Sequence, residues 1–164
     1  MLQKLQKRRD EGGFTIIEVL IVLAIAGLIM LIVFLAVPAL QRSQRNTSRK
    51  NDASRIADAT TEFVSNNDGT VPASTTDLTT ILNSAGKLGQ YTLTASGSVA
   101  VNTISVTSTA TQSALSGQDE VRLVTGATCG TSGATVSGTS RQIALQYTIE
   151  TTGGLYTGNC LSAN

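Results

Sequence analysis

The sequence contains no histidine and no tryptophan, and only 2 cysteines and 2 prolines in 164 residues. Without histidine there is no imidazole general base, no histidine-containing catalytic triad and no histidine-ligated metal. Two cysteines fall short of the roughly four ligands that a structural zinc site needs. Charge is sparse and nearly balanced: 12 Lys and Arg against 11 Asp and Glu leave a net charge of +1. That balance argues against a general nucleic-acid binder. The length supports one globular domain of modest size, and with so few aromatic residues its core has to be largely aliphatic.

The apolar residues that are present are concentrated at one end. Lys4, Lys7, Arg8 and Arg9 give a net basic start, followed by Asp10 and Glu11. From Val19 to Val37 no residue is charged. About twenty apolar residues in a helix, at about 1.5 Å each, cover the roughly 30 Å hydrocarbon core of a bilayer. The basic start favours a cytoplasmic N-terminus. Arg42, Arg45, Arg49 and Lys50 follow the apolar run, however, so both flanks are basic. The remainder of the chain is rich in Ser, Thr, Gly and Asn and carries both cysteines, Cys129 and Cys160, which fits an external location. These two are either free buried thiols or one disulfide, and an oxidising exterior favours the disulfide.

Two simple readings compete for the apolar run. A secretory signal peptide could end near Val37-Pro38-Ala39, but the run exceeds the usual apolar region of about 7–15 residues. A plain single-span anchor explains the length and leaves Glu18 without a purpose. An ionisable group near hydrocarbon costs several kcal/mol unless it is paired.

At Gly13-Phe14-Thr15-Ile16-Ile17-Glu18 the sequence resembles the class III signal of type IV pilins and pseudopilins. The resemblance includes a short basic leader ending in Gly, then Phe, three mostly apolar residues, Glu, and an apolar helix directly after. It implies that a prepilin peptidase cleaves between Gly13 and Phe14 and methylates the new Phe14 amine. It further implies that the apolar helix waits in the membrane, and that Glu18 aligns subunits by pairing with the Phe14 amine of a neighbour. The physics is consistent with this. Glu18 lies four residues after Phe14, hence on the same helical face, and breaking a buried ion pair costs about 3–5 kcal/mol. Gly27 matches a position where filament helices loosen. Pro38 lies slightly later than the family's usual proline, and it is expected to kink or interrupt the helix because it removes a hydrogen bond and crowds the preceding turn.

Beyond Pro38 the pattern turns amphipathic. Ala53, Ile56, Ala57, Phe63 and Val64 recur at helical spacing, with Arg55, Asp58 and Glu62 between them. Asn66-Asn67-Asp68-Gly69 ends the helix, with Pro72 beyond. A helix over 14–66 would span roughly 80 Å. A short helix is expected over 77–86, capped by Thr76 or Asp77 and stopped by Gly86. Strands are expected around Tyr91-Ala95, Val99-Val101, Ile104-Val106, 121–124 and 143–149. The Ser/Thr-rich pieces 103–113 and 131–140 read as surface loops or edges, and Asn46-Thr47-Ser48 is an N-x-Ser sequon. The tail from Tyr147 to Asn164 again resembles pilin tails. That resemblance implies a final strand pair and a Cys129–Cys160 disulfide closing an exposed loop.

The expected architecture is therefore α+β, with a long N-terminal helix packed on a C-terminal antiparallel head. Its parts are a cleaved leader (1–13), a membrane or filament-core helix (14–40), an amphipathic continuation (41–66), a connection with a short helix (67–90) and the sheet head (91–164). The leading function is a structural subunit polymerising into a surface filament for adhesion, motility or DNA uptake. A secretion-type pseudopilin or minor pilin shares the fold, and a membrane-anchored binding protein that never polymerises is the reading from a different class. An enzyme is the least favoured class, because no nucleophile, base and orienting group converge in the sequence. No metal or cofactor is expected. The implied partners are further copies of the chain, the prepilin peptidase, an assembly platform with its ATPases, and the membrane. DNA contact through the basic stretch 42–55 is weaker than filament-core or headgroup contacts there.

Overall fold

The computed structural model describes residues 13–89, 91, 104–108 and 111–163. The basic leader and the strands expected around 92–95 and 99–101 lie outside the described residues. The chain divides into two compact units, Met1–Leu40 and Gln41–Asn164. One helix, α1 (Ile16–Asn66), contributes to both.

In the first unit, α1 is apolar on every side and exposed throughout. A helix that is hydrophobic all round belongs in a core or a membrane, and the first unit offers it no core. Among the described residues α1 is the one helix long and apolar enough to cross a bilayer. The expected interruption at Pro38 is absent, since α1 continues through it. The proline removes one backbone donor and leaves the Phe34 carbonyl without its usual partner, a cost of about 3 kcal/mol. Intact turns on both sides hold the helical conformation across that single defect. Gly27 is likewise accommodated inside the helix, with open space where a Cβ would lie.

In the second unit, α1 becomes one-sided. Ala53, Ile56, Ala57, Ala59, Thr60 and Val64 are buried, and Phe63 packs against the same core. These positions recur three and four apart, which is the amphipathic stripe expected there. The helix stops as the NNDG sequence requires. Asp68 and Gly69 take positive φ of 53° and 80°, and the Gly69 N–H reaches back to the Val64 carbonyl at 2.8 Å. That is the long bond of a Schellman motif.

Helix α2 (Thr75–Ala85) follows. Its cap is Ser74, two or three residues earlier than expected. The Asp77 N–H donates to the Ser74 hydroxyl at 3.1 Å, and the Asp77 carboxylate accepts from the Ser74 N–H at 3.0 Å, a reciprocal capping box. Bonds from the Ala73 backbone, then from Ser74, hold the Asp77 carboxyl below its usual range. Gly86 terminates the helix with φ 74°.

Six strands complete the unit: β1 (Ile104–Thr107), β2 (Val121–Thr125), β3 (Ala127–Cys129), β4 (Thr135–Ser137), β5 (Ile143–Glu150) and β6 (Tyr156–Ser162). The main sheet has the order β1-β2-β5-β6. β5 runs antiparallel to both of its neighbours, β2 and β6, and β1 joins β2 in parallel from Ile104↔Val121 to Thr107↔Val124. β3 and β4 form a separate antiparallel pair. The fold is thus the expected α+β, pilin-like arrangement, with one parallel edge pair in an otherwise antiparallel sheet.

Both faces of β5 are covered, so Ile143 to Thr148 are all buried. On one face Ile143, Leu145 and Tyr147 meet Val121, Leu123 and the α1 and α2 stripes. On the other, Gln146 is fully buried, and its Nε2 donates to the Ser113 and Gly133 carbonyls at 3.0 and 2.8 Å. The piece 131–140, expected as a surface loop or edge, is mostly exposed and forms part of the two-stranded β3–β4 pair, and it also contributes to this second cover. It contains β4, whose Thr135 is buried. Its Ser/Thr content hides the usual alternation, although Thr is well suited to strands.

Candidate processing and assembly site

The Gly13–Phe14 junction lies in exposed, non-helical backbone immediately before α1. A Cβ placed on Gly13 would meet nothing within 4 Å, and Phe14 is 88% exposed. The peptide bond between them is therefore open to an approaching partner.

The start of the helix is set by a residue that the sequence reading left without a role. Thr15 is the N-cap and Glu18 the third helical residue. The Glu18 carboxylate accepts from the Thr15 N–H at 2.9 Å and from its hydroxyl at 2.8 Å. The Glu18 N–H donates to the Thr15 hydroxyl oxygen at 3.3 Å. Glu18 thus satisfies an orphan backbone donor and places negative charge at the positive end of the helix dipole. With the leader attached, the Phe14 nitrogen is an amide, so the carboxylate has no Phe14 ammonium to meet and turns to Thr15. The signal was legible as Thr-x-x-Glu ahead of an apolar run.

A second cluster of charge lies at the start of the second unit. Arg45 grips Glu150 with two bonds, both 2.9 Å. The Asn46 side-chain amide donates to the Glu150 carbonyl at 2.7 Å and accepts from the Glu150 N–H at 2.8 Å. Arg49 is 1% exposed; its Nε donates to Asp119 at 2.5 Å, and its guanidinium lies 5.4 Å from the Tyr156 ring centre. Burial pulls the Arg49 pKa down, but the bond and charge of Asp119 outweigh it and the net shift is upward. Asp119 itself takes positive φ of 51°, a conformation Asp tolerates better than most residues.

Three residues of the basic stretch are engaged within the second unit. Arg45 and Arg49 are committed to acidic residues of their own unit. Arg55 donates to the Ala85 and Lys87 carbonyls at 2.6 and 2.7 Å. None of the three is held out for DNA, lipid or a neighbouring filament helix. Both halves of the Asn46 amide are likewise engaged, so the Asn46-Thr47-Ser48 sequon is occupied by structure. The sequence signal for this network was weak. Arg42, Arg45 and Arg49, spaced three and four apart, suggest one exposed face, and the acidic partners of Arg45 and Arg49 lie 105 and 70 residues away.

Tyr91 completes the surroundings of Arg49. It is 3% exposed, and its hydroxyl has no hydrogen-bond partner among the described residues. Burial raises its pKa, and burial raises that of Tyr147 as well.

Cys129 on β3 and Cys160 on β6 are joined by a disulfide, with Cα atoms 5.6 Å apart and a sequence separation of 31. The bond fastens the β3–β4 pair to the edge of the main sheet and packs on Val124, Ala127 and Ala144. Among the described residues no group of three or more acidic or cysteine side chains is placed to hold a metal ion.

Residues 8–34 match the family model of the prokaryotic N-terminal methylation motif. No curated protein and no solved structure matches the chain.

Proposed function

We propose that this chain, whose residues 8–34 carry the N-terminal methylation motif that marks class III pilin signals, is the precursor of a type IV pilin-like structural subunit. The observation that carries the proposal is that motif, with Gly13, Phe14 and Glu18 at its centre. A prepilin peptidase cuts between Gly13 and Phe14 and methylates the Phe14 amine. The first unit stays in the membrane until assembly, and the second faces the exterior. Copies of the chain then polymerise, with help from an assembly platform and its ATPases.

The Thr15–Glu18 capping box gives this sequence a physical course. Before cleavage the carboxylate is occupied by Thr15. Cleavage creates a positive amine four residues from Glu18, on the same face of the helix. In hydrocarbon an ion pair is worth more than hydrogen bonds to a hydroxyl and an amide, because a lone charge there is so costly. The amine of the same chain, or that of a neighbour, can therefore draw Glu18 from Thr15. Gly27 and Pro38 are the weakest points of α1 in the first unit, and any loosening during assembly begins there.

The major-subunit reading is preferred to a pseudopilin or a minor pilin, which share the fold and differ in abundance and position. Glu18 supports full incorporation over a tip role. Filaments sheared from cells test this. Abundant filaments made of a chain that begins at methylated Phe14 would support a major subunit. Motif-processed chain that is scarce in filaments would favour the minor reading. The use of the filament in adhesion, motility or DNA uptake depends on the exposed head and on the cell's motors.

A further inference from the structure

We infer that the outer face of α1 in the second unit is a contact surface for a second copy of this chain, with Lys50 of one copy seated against Asp58 and Glu62 of the next. This rests on the filament-forming reading above. The buried residues of α1 from Arg49 to Val64 recur three and four apart and so occupy one side of the helix. The opposite side is exposed and carries Thr47, Asn51, Thr61 and Ser65 beside four charges, Lys50, Arg55, Asp58 and Glu62. A solvated outer side is ordinary for such a helix; the arrangement of its charges is what calls for a partner.

Of the four, Arg55 is used within the unit. It donates to the Ala85 and Lys87 carbonyls and so offsets the negative end of α2. Among the described residues no ion pair or hydrogen bond holds the side chains of Lys50, Asp58 or Glu62. These three are sorted along the helix, the cation toward its start and both carboxylates toward its end. Asp58 and Glu62, four apart, are neighbours on the helix surface. Beside them α1 and α2 leave a shallow groove lined by Ala59, Ala85 and Ser84. A lysine suits it, because its apolar stem lies well over alanine while its ammonium reaches both carboxylates.

Lys50 cannot fill this groove in its own chain. Asp58 is about 12 Å farther along the axis and about 80° around it, and Glu62 is about 18 Å and about 120° away. Copies held in one membrane share one direction, and a shift of about 12–18 Å between parallel neighbours brings Lys50 of one level with Asp58 and Glu62 of the other. Neighbours in register would set lysine against lysine and carboxylate against carboxylate, which repels. Arg42 is not an equivalent donor, since it lies within about 20° of the buried Arg49 around the helix, on the side that meets the head. Lys87 lies beside the groove itself, two residues past Ala85. Donor and acceptor are thus different patches on different sides of one helix. Such a contact is heterologous, and its axial shift makes it repeat into an open helical filament instead of closing at two.

Charge exchange in cells tests the pairing. Lys50→Glu alone, and Asp58→Lys with Glu62→Lys, should each lower the yield of sheared filaments by about tenfold or more, with the amount of processed chain in the membrane unchanged. All three exchanges together should restore most of the yield. Unchanged yield in the one-sided variants, or no recovery in the triple variant, would overturn the pairing. Cross-linking tests the shift. Cys129 and Cys160 are bonded to each other, so introduced cysteines supply the reactive thiols. Ser54→Cys with Ser65→Cys leaves all three charges in place, and the two positions are about 16 Å apart along the axis, within the expected shift. In filaments of this double variant a short bismaleimide should give a ladder of dimers, trimers and longer products, and either cysteine alone should give none. Dimers from Ser54→Cys alone would mean an antiparallel closed pair and overturn the staggered contact, as would intact filaments without cross-links in the double variant. Absence of filaments from the unaltered chain would remove the polymer reading, and this inference with it.

Discussion

At the residue scale, the chemistry of the chain is concentrated in a few charged side chains with unusual neighbours. Glu18 caps α1 through Thr15, and the assembly role proposed for it needs an amine instead. Thr15→Ala removes the cap hydroxyl and should destabilise the first turn of α1 by about 0.5–2 kcal/mol, seen as faster amide exchange at Glu18 and Val19 in micelles, while Thr15→Ser keeps protection. Glu18→Ala should leave a stable, cleaved membrane protein that polymerises poorly, and normal filament yield would refute its assembly role. Arg49 and Asp119 form the buried pair of the second unit. Asp119→Asn keeps a residue that accepts positive φ and removes the charge, so it isolates the pair from the backbone. It should lower stability by up to about 3–5 kcal/mol, because it removes the nearer of two counter-charges from a buried guanidinium and leaves Glu150 at 3.6 Å as the other, and thermal melting of the full chain in detergent would show it. Tyr91 adds a pH limit. Burial raises its folded pKa above the unfolded value of about 10. Its contribution to stability is therefore full below about pH 10 and is lost as pH rises through the raised folded value. Tyr91→Phe should flatten that alkaline decline and raise stability at neutral pH by about 1–3 kcal/mol, because it removes a buried hydroxyl without a partner. Unchanged alkaline melting curves would contradict this.

At the scale of elements, helices were the most legible because two signals coincide in each. The stripe Ala53, Ile56, Ala57, Phe63 and Val64 gave the period, and NNDG gave the stop. The start of α1 at Ile16 and of α2 at Thr75 came two residues away from expectation at each. In both cases a capping box decided the boundary, and the box is visible only when a Ser or Thr is considered together with the acid three residues on. Strands β2 and β5 were legible from their aliphatic content. β3 and β4 were not, since Thr, Ser and Gly in short strands give no alternation to read. The partners of Arg45 and Arg49 were illegible for a different reason: only folding brings Asp119 and Glu150 to the helix. Pro38 sits inside α1 without ending it, because one missing bond does not stop a long helix with intact turns on both sides. The disulfide acts at this scale too. Closing a loop of about thirty residues is worth roughly 3–4 kcal/mol on the chain-entropy account. Reducing Cys129–Cys160 should lower the melting temperature and first loosen β3 and β4, measured as amide exchange at Ala127 to Ser137.

At the scale of the whole molecule, the two units divide the work. Met1–Leu40 has the proposed cleavage junction, Glu18 and an apolar surface whose described residues form no core, which suits the proposed stay in lipid and later packing among copies of the chain. Gln41–Asn164 has a core and a disulfide, and Arg45, Arg49 and Arg55 are engaged within it. These basic residues, which seemed available for a partner, serve to bind the second half of α1 to the head. The account as a whole depends on the Gly13–Phe14 junction, and the N-terminus of the mature protein recovered from cells tests it most directly. Mass spectrometry of that N-terminus should find a chain beginning at Phe14 with a methylated amine. An intact Met1, or a chain beginning after Ala39, would contradict the account.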